Sequence, residues 1–325
     1  MNVLRKITLI AVILTLVVMT LGAYVRLNDA GLGCPDWPGC YGSLSVPQSE
    51  AAISKAQAVF PSKPLEVGKA WLEMAHRYVA GSLGLLTLVI SVIAWQKRRL
   101  LMTAWWCGVV LVAVILFQAT LGMWTVTFLL RPVVVSAHLI GGMSVLAILT
   151  WLYVRNCVPP IPVGSTIQLH AKIGVLILLG QIFLGGWTSS NYAGLACTDF
   201  PTCHGLWWPK MNFGDAFYLQ RALGENALGR PLTLESVTAI QWTHRLGAGV
   251  TFLYLGMLSW KLIKQSISIL RNWGIALITL LLMQIGLGIV NLILHLPLVL
   301  AVAHHFVAAL LVVTLISLNA LIIRP

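Results

Sequence analysis

Four histidines occupy matching positions in long apolar runs of this chain: His76, His138, His244 and His304. Each comes about six or seven residues after the start of its run, roughly 10 Å along a helix. Ionisable residues at such positions in membrane segments are costly and mark functional sites. Two imidazoles on neighbouring helices can bind a haem iron from opposite faces, while apolar side chains surround the porphyrin. The pattern therefore indicates two bis-histidine haem sites.

Other uses of these histidines remain open at this point. A closed structural zinc site takes four nitrogen or sulfur ligands, and each histidine pair offers only two. A histidine can also hold membrane helices together through hydrogen bonds alone. His305 follows His304 directly and is an alternative ligand, although it points about 100° away around the helix.

One carboxylate distinguishes the two histidine pairs. Glu73 lies three residues before His76 and hence on the same helical face, whereas Gln241 lies three residues before His244. A carboxylate beside a haem can exchange a proton, and an amide of the same shape cannot. The first pair is therefore predicted to carry the chemistry and the second to hold an electron-carrying haem. The alternative is that Glu73 is an exposed residue near the membrane boundary.

Arginines and glutamines recur beside the histidines. Arg77 and Arg245 directly follow the first histidine of each pair, where a guanidinium could bind a haem propionate. An interface anchor at the lipid surface is the competing interpretation. Gln118 and Gln284 are predicted to form hydrogen bonds between helices.

Two short stretches, GLGCPDWPGC and GLACTDFPTC, each hold two cysteines six positions apart, with an acidic residue and a proline between them. The prolines favour tight turns, which could bring each pair within bonding reach. On an oxidising side of a membrane, disulfides are predicted from Cys34 to Cys40 and from Cys197 to Cys203. A metal site, or thiol-redox chemistry through Cys34 and Cys40, is the alternative.

The composition places these residues in a membrane protein. The chain has 325 residues, of which 58% are hydrophobic and 9% are charged; soluble proteins carry about 25% charged residues. The net charge of +12 does not indicate nucleic-acid binding, because the basic residues lie between apolar runs. A membrane helix needs about 20 apolar residues. Eight runs reach that length, approximately 7–27, 71–95, 103–127, 131–154, 168–190, 236–260, 270–294 and 297–323.

The basic residues also predict the orientation. LRK precedes the first run, which is interpreted as a retained span, and QKRR follows the second. If the spans alternate, these residues fall on one side, together with Arg155, Lys261, Lys264, Arg271 and Arg324. That side is predicted to be cytoplasmic and to hold both termini. The loops 28–70 and 191–235, with their cysteines, are then predicted to lie outside.

The chain also repeats itself. EMAHRYVAG matches QWTHRLGAG, FQATLG matches MQIGLG, and RPVVVSAH matches LPLVLAVAH, with corresponding residues 163 to 168 positions apart. Four spans per copy is an even number, so both copies enter the membrane in the same direction. We predict an all-α integral membrane protein of eight transmembrane helices. They form two parallel four-helix-bundle repeats, 1–158 and 168–325, related by a pseudo-twofold axis along the membrane normal and joined by the proline-containing linker 159–167.

These motifs together resemble the heme A synthase family. EMAHR with SAH in one half, QWTHR with AHH in the other, the eight spans and the GAYVRLNDAGLGCPDWPGC loop carry the resemblance over essentially the whole chain. The resemblance implies oxidation of the C8 methyl of heme O to a formyl group. It implies that His244 and His304 ligate a resident haem b, that His76 and His138 contact the substrate haem, and that Glu73 assists through proton transfer.

The resemblance also implies a bacterial inner membrane location. It suggests heme O synthase and assembly factors of terminal oxidases as partners besides heme O and the lipid bilayer, and it leaves a homo-oligomer possible. A transmembrane dihaem cytochrome b for quinol-linked electron transfer would explain the four histidines equally well, but it gives no reason for the contrast between Glu73 and Gln241. A transporter with a histidine proton relay is a third possibility.

Overall fold

Eight long apolar helices make up most of the molecule. The computed structural model describes residues 2–97 and 105–323, and in that part of the chain eight helices are long and apolar enough to cross a membrane. The prediction of an all-helical membrane protein is thus confirmed. The eight are α1 Asn2–Leu27, α3 Val67–Gln96, α4 Trp105–Thr127, α5 Pro132–Arg155, α6 Ser165–Ser190, α8 Leu234–Ile263, α9 Ser268–Ile293 and α10 Leu298–Leu321; the shorter α2 Glu50–Val59 and α7 Phe213–Ala216 lie in loops.

Helix ends differ from the predicted spans by a few residues, because polar residues continue a helix beyond the apolar run. Helix α1 extends to Asn2 rather than residue 7, and α3 begins at Val67 rather than residue 71. Helix α8 begins at Leu234 because the Thr233 side chain accepts a hydrogen bond from the Ser236 N–H. The basic residues Arg98, Arg99 and Arg324 lie outside the described residues.

The helices pack in two groups of four. Helices α1, α3, α4 and α5 contact one another in a closed ring, and α6, α8, α9 and α10 do the same; we call these the N-terminal and C-terminal groups. Helix α5 contacts both α6 and α10, and α1 contacts α10, so the two groups share a broad interface. Leucines from both groups, including Leu146, Leu149, Leu258 and Leu315, are fully buried in one apolar core.

A short parallel strand pair closes one end of the molecule. Strand β1, Ile161–Pro162, follows α5 and pairs with β2, Ile322–Ile323, which follows α10. The Val163 N–H donates to the Ile323 carbonyl at 2.9 Å. The predicted linker is therefore hydrogen-bonded to strand β2, which follows α10.

The opposite end, which we call the loop side, carries both cysteine stretches. Helix α2 lies there, and its first turn is capped by Ser49, whose hydroxyl accepts a hydrogen bond from the Ala52 N–H at 3.2 Å. Ala56 of α2 is buried in an apolar cluster with Tyr41 and Met74, so the loop packs onto the top of α3.

The backbone follows the same local course at corresponding places in the two groups. Eight described residues other than glycine have φ angles between 49° and 60°, in the left-handed region that few side chains adopt. They form four pairs that lie 163 or 166 positions apart: Asp29 and Tyr192, Tyr41 and His204, Leu129 and His295, Leu130 and Leu296.

Candidate functional site

Each of the four predicted histidines packs against a glycine of a neighbouring helix. His76 of α3 lies so close to Gly22 of α1 that a Cβ there would come within 2.8 Å of the imidazole Cε1. A real Cβ cannot occupy that position unless the ring moves. The close approach of α1 to His76 therefore depends on the absence of a side chain at residue 22.

The other three histidines show the same contact. A Cβ would come within 3.3 Å of His138 Cε1 if built on Gly122, and within 3.2 Å of His244 and His304 Cε1 if built on Gly185 and Gly288. We call Gly22, Gly122, Gly185 and Gly288 the facing glycines. Each histidine thus has its ring edge against the backbone of an adjacent helix.

Within each group the two histidines come from two helices of the same closed ring. His76 lies on α3 and His138 on α5, and His244 lies on α8 and His304 on α10. Among the described residues, the Nδ1 atoms of His76, His138 and His304 are buried and have no hydrogen-bond partner. A buried polar atom without a partner is costly. Paired neutral imidazoles with free nitrogens suit the axial ligation of a haem iron.

Glutamine amides lie beside three of the four histidines. Gln118 of α4 donates to the His138 carbonyl at 2.7 Å, which confirms the predicted bond between helices. Gln284 of α9 lies 3.1 Å from His304 Nε2. Gln181 of α6 was not singled out from the sequence, and its Nε2 lies 3.0 Å from His244 Nδ1 and 3.1 Å from the His244 carbonyl.

Glu73 is buried and bound to the first cysteine loop. Only 4% of the residue is exposed, so the interpretation of Glu73 as an exposed boundary residue is wrong. Its Oε2 accepts a hydrogen bond from the Cys34 N–H at 2.9 Å, and its Oε1 is paired with the Arg77 guanidinium. The carboxylate thus links the helix of His76 to the disulfide turn above it.

Gln241 has the corresponding place in the C-terminal group, with one difference. Its Oε1 accepts a hydrogen bond from the Cys197 N–H, while its NH2 group donates to the Gly194 carbonyl at 2.5 Å. Arg245 therefore makes no ion pair with residue 241. Its second terminal nitrogen donates to the Cys197 carbonyl at 2.8 Å instead.

Both arginines hold the loops. Arg77 donates to the carbonyls of Asp36, Pro38 and Gly39 at 2.9, 3.3 and 2.5 Å. Arg245 donates to the carbonyls of Asp199 and Thr202 at 2.9 and 2.8 Å. A role for either arginine in binding a haem propionate stays a prediction.

Within each cysteine turn, an aspartate carboxylate accepts hydrogen bonds from backbone N–H groups of the same turn. The Asp36 carboxylate accepts hydrogen bonds from the N–H groups of Tyr41 and Gly42 at 2.6 and 2.7 Å. Asp199 accepts them from His204 and Gly205 at 2.7 and 3.0 Å, and from the Thr202 hydroxyl at 2.6 Å. The Thr202 hydroxyl and these N–H groups hold the pKa of the Asp199 carboxyl well below its usual range.

The predicted disulfides are present. Cys34 is bonded to Cys40 and Cys197 to Cys203, and all four side chains are buried. His204 lies with Cys197 and Cys203 in a cluster of possible metal ligands. However, the disulfide removes the thiolates that a metal would bind, so the metal-site alternative for this turn is not supported.

A polar bridge joins the two groups on the loop side. Arg26, at the end of α1, donates to the Tyr192 hydroxyl at 2.9 Å and to the Ser189 carbonyl at 3.0 Å. The Tyr192 hydroxyl in turn donates to Asp29 at 2.7 Å. Burial and this bond to Asp29 raise the pKa of Tyr192.

Sequence reasoning missed Gln181, the facing glycines and the bridge through Arg26. One signal could have found the glycines: Gly22 and Gly185 are 163 positions apart, and Gly122 and Gly288 are 166 apart, like the residues around them. Gln181 has no such signal, because the corresponding residue is Val18.

Eight apolar helices that enclose paired histidines beneath two disulfide-closed loops define a multi-pass membrane protein with two buried histidine sites. The family model described as a cytochrome oxidase assembly protein, COX15-CtaA, matches residues 5–316. The chain belongs to this family.

Curated relatives cover most of the chain. It is 42% identical over 318 residues to a protein of Shewanella oneidensis named "Heme A synthase", which spans 95% of this chain and 94% of that one. Proteins of the same name from Mesorhizobium japonicum and Halalkalibacterium halodurans are 28% and 26% identical. The first alignment covers 91% of this chain and 84% of the relative, and the second 70% and 72%.

Proposed function

We propose that this protein is a heme A synthase, which oxidises the C8 methyl of heme O to a formyl group with the help of a haem b in the C-terminal group. The names of the relatives in this family support the activity. The observation that carries the proposal is the set of four histidines, two in each helix group, each packed against a glycine and three with a buried unpartnered Nδ1.

The chain is proposed to consist of two parallel four-helix repeats with a pseudo-twofold axis along the membrane normal. The two closed rings of helices support this arrangement. The paired left-handed residues and the paired facing glycines support it further, because they recur at the same spacing as the sequence motifs. Residues 1–158 and 168–325 are the proposed repeats.

In the C-terminal repeat, His244 and His304 are the proposed axial ligands of haem b. His304 is preferred over His305 because His304 contacts both Gly288 and Gln284, as a positioned ligand would. A haem bound there supplies a one-electron carrier beside the substrate site.

In the N-terminal repeat, His76 and His138 are proposed to hold heme O. With water as the oxygen source, converting a methyl to a formyl group releases four protons and four electrons, so the site needs an electron acceptor supplied from outside this chain and a group that accepts protons. Glu73 is the proposed proton acceptor, since it lies one helical turn from His76 and is buried. Gln241 cannot take this role, which supports the proposal that the reaction takes place in the N-terminal repeat.

The protein is proposed to reside in a bacterial inner membrane with both termini in the cytoplasm. Arg155, Lys261 and Lys264 lie at the ends of helices away from the loop side, as basic residues on the cytoplasmic face do. The two disulfides would then face the oxidising compartment, where they persist.

Pigment analysis tests the activity. Cells that make heme O but lack heme A synthase are expected to accumulate heme A when they express this protein. Accumulation of unchanged heme O, with the protein present in the membrane and carrying haem b, would leave a dihaem cytochrome b as the better assignment. Purified protein without any haem would overturn both assignments.

A further inference from the structure

Side-chain amides reach both imidazoles of the C-terminal pair and neither imidazole of the N-terminal pair. Gln181 lies 3.0 Å from His244 Nδ1, and Gln284 lies 3.1 Å from His304 Nε2. In the N-terminal group, Gln118 donates to the backbone carbonyl of His138. The Nδ1 atoms of His76, His138 and His304 are buried without a partner among the described residues, so the two groups differ in their amide contacts.

A glycine makes room for Gln181. A Cβ at Gly247, three residues after His244, would overlap the Gln181 Oε1 atom. The same relation holds for Gln118, whose Oε1 would be overlapped by a Cβ at Gly141, three residues after His138. An amide therefore reaches the backbone carbonyl of a histidine where a glycine follows one turn later.

The corresponding positions support this rule. Residue 307, which corresponds to Gly141, is a valine, and there Gln284 contacts the imidazole instead of the backbone carbonyl. The positions that correspond to Gln181 and Gly247 are Val18 and Val79, so the N-terminal repeat has neither this amide nor this glycine. An amide that faces a glycine therefore reaches the backbone carbonyl of the histidine, and the amide that faces Val307 reaches only the imidazole.

Amides beside metal-binding histidines have a known physical effect. They orient the ring, and an acceptor such as the glutamine amide oxygen takes the proton of the ring nitrogen that does not bind the metal, which leaves the other nitrogen free to bind it. Loss of such an outer partner typically weakens metal binding by about 10- to 100-fold.

We propose that Gln181 and Gln284 are positioning residues that make the C-terminal site retain its haem, and that Val18 and Val79 leave His76 without an amide partner, so that the N-terminal site releases its haem after reaction. This inference rests on the proposed function. It gives a reason why one repeat holds a resident cofactor while its counterpart exchanges substrate and product.

Haem transfer to excess apomyoglobin tests the proposal on the purified full-length protein in detergent. The double variant Gln181→Val/Gly247→Val gives His244 the two valines that the N-terminal repeat has at the corresponding positions. The variant Gln284→Leu removes the amide beside His304. Both are expected to release haem b about 10-fold faster than the wild type. The matched control Gln118→Leu, which loses an amide from the other repeat, is expected to release haem b at the wild-type rate.

The midpoint potential of the haem is a second readout, because it would not change if the glutamines only stabilised the fold. It is expected to shift in Gln181→Val/Gly247→Val and in Gln284→Leu, and to stay unchanged in Gln118→Leu. The converse variant Val18→Gln/Val79→Gly is expected to raise the haem retained per chain, because it gives His76 the missing amide.

The outcomes separate the two proposals. Wild-type release rates and potentials in both C-terminal variants would overturn the retention role while leaving the proposed function intact. If the double variant does not fold, the single variant Gln284→Leu, which leaves the space around Gly247 untouched, decides the question. A wild-type protein that carries no haem overturns the proposed function itself.

Discussion

Glu73 and Gln241 accept the same hydrogen bond, each from the backbone N–H of the first cysteine in its loop. The carboxylate and the amide therefore serve the loop equally well. They differ in the second partner, which is the Arg77 guanidinium for Glu73 and the Gly194 carbonyl for Gln241. The bond to the cysteine N–H does not require an acid at residue 73, whereas the ion pair with Arg77 does.

Glu73→Gln is expected to keep the loop and the haem but to lose conversion of heme O. Glutamine can still accept the bond from Cys34, as Gln241 does from Cys197, but it cannot take a proton. Loss of a general base typically costs about 10²- to 10⁴-fold in rate. Extracted pigment separated by chromatography measures the ratio of heme A to heme O.

The reciprocal variant Gln241→Glu is the control, and it is expected to leave the pigment ratio near that of the wild type. Full conversion of heme O to heme A by Glu73→Gln would show that residue 73 has a purely structural role.

Gly288→Ala is expected to lower the haem b content, whereas Gly286→Ala is not. A Cβ at residue 288 would come within 3.2 Å of His304 Cε1, while nothing lies within 4 Å of the corresponding position at Gly286. Overpacking of this kind costs about 1–3 kcal/mol, which is about a 5- to 150-fold loss of binding. The ratio of haem to protein in the purified variants measures the effect, and equal ratios would argue against the contact.

His304→Ala is expected to abolish the low-spin haem b spectrum, and His305→Ala to preserve it. His304 has both a facing glycine and an amide, whereas Nε2 of His305 is buried without a partner in the described part of the chain. Absorption spectra of the reduced proteins distinguish the two histidines. The opposite pattern would make His305 the ligand.

Much of the fold was predictable because the membrane dictates the length of each span. Runs such as 132–155 leave no alternative to a helix, since every backbone group must find a partner within the segment. Helix α2 was not predicted, because it is short and its apolar face is narrow. The histidine positions followed from their spacing along the chain, which a regular helix preserves.

The partners of the arginines could not be predicted in the same way. Arg77 and Arg245 point to carbonyls of loops that lie about 40 residues earlier in the chain. The direction of those carbonyls depends on the folded turns, which depend in turn on Asp36, Asp199 and the disulfides. The contact between Gln181 and His244 was missed for a related reason, since it depends on the missing side chain of Gly247 on another helix.

Arg245→Ala is expected to expose the Cys197–Cys203 disulfide to reduction. The guanidinium donates to three carbonyls of this loop, and hydrogen bonds to charged groups contribute about 1.5–3 kcal/mol each. Opening of the loop should become at least about tenfold more frequent. The rate at which a water-soluble phosphine reduces the disulfide, followed by alkylation and mass spectrometry, reports it; Cys34–Cys40 in the same protein is the internal control.

The Asp199 carboxylate is expected to hold its loop closed even in acid. Because its pKa is lowered in the folded protein, its contribution is present at every pH above the ordinary value of about 4. The contribution is lost only as the pH falls through the lowered value. Wild-type and Asp199→Asn proteins should therefore differ in disulfide reduction by the same factor at pH 5 and pH 8, and a factor that vanishes at pH 5 would contradict the lowered pKa.

Arg77 and Arg245 come directly after His76 and His244, so each loop is tied to the protein one residue away from an imidazole. Coupling between two such sites is reciprocal, because the free energy by which one affects the other has no direction. A ligand that binds the imidazoles and fixes their positions should therefore make the loops open less often. Conversely, a change that opens a loop should lower the affinity for that ligand. The rate at which the two disulfide loops open therefore reports whether a ligand is bound to the buried histidines.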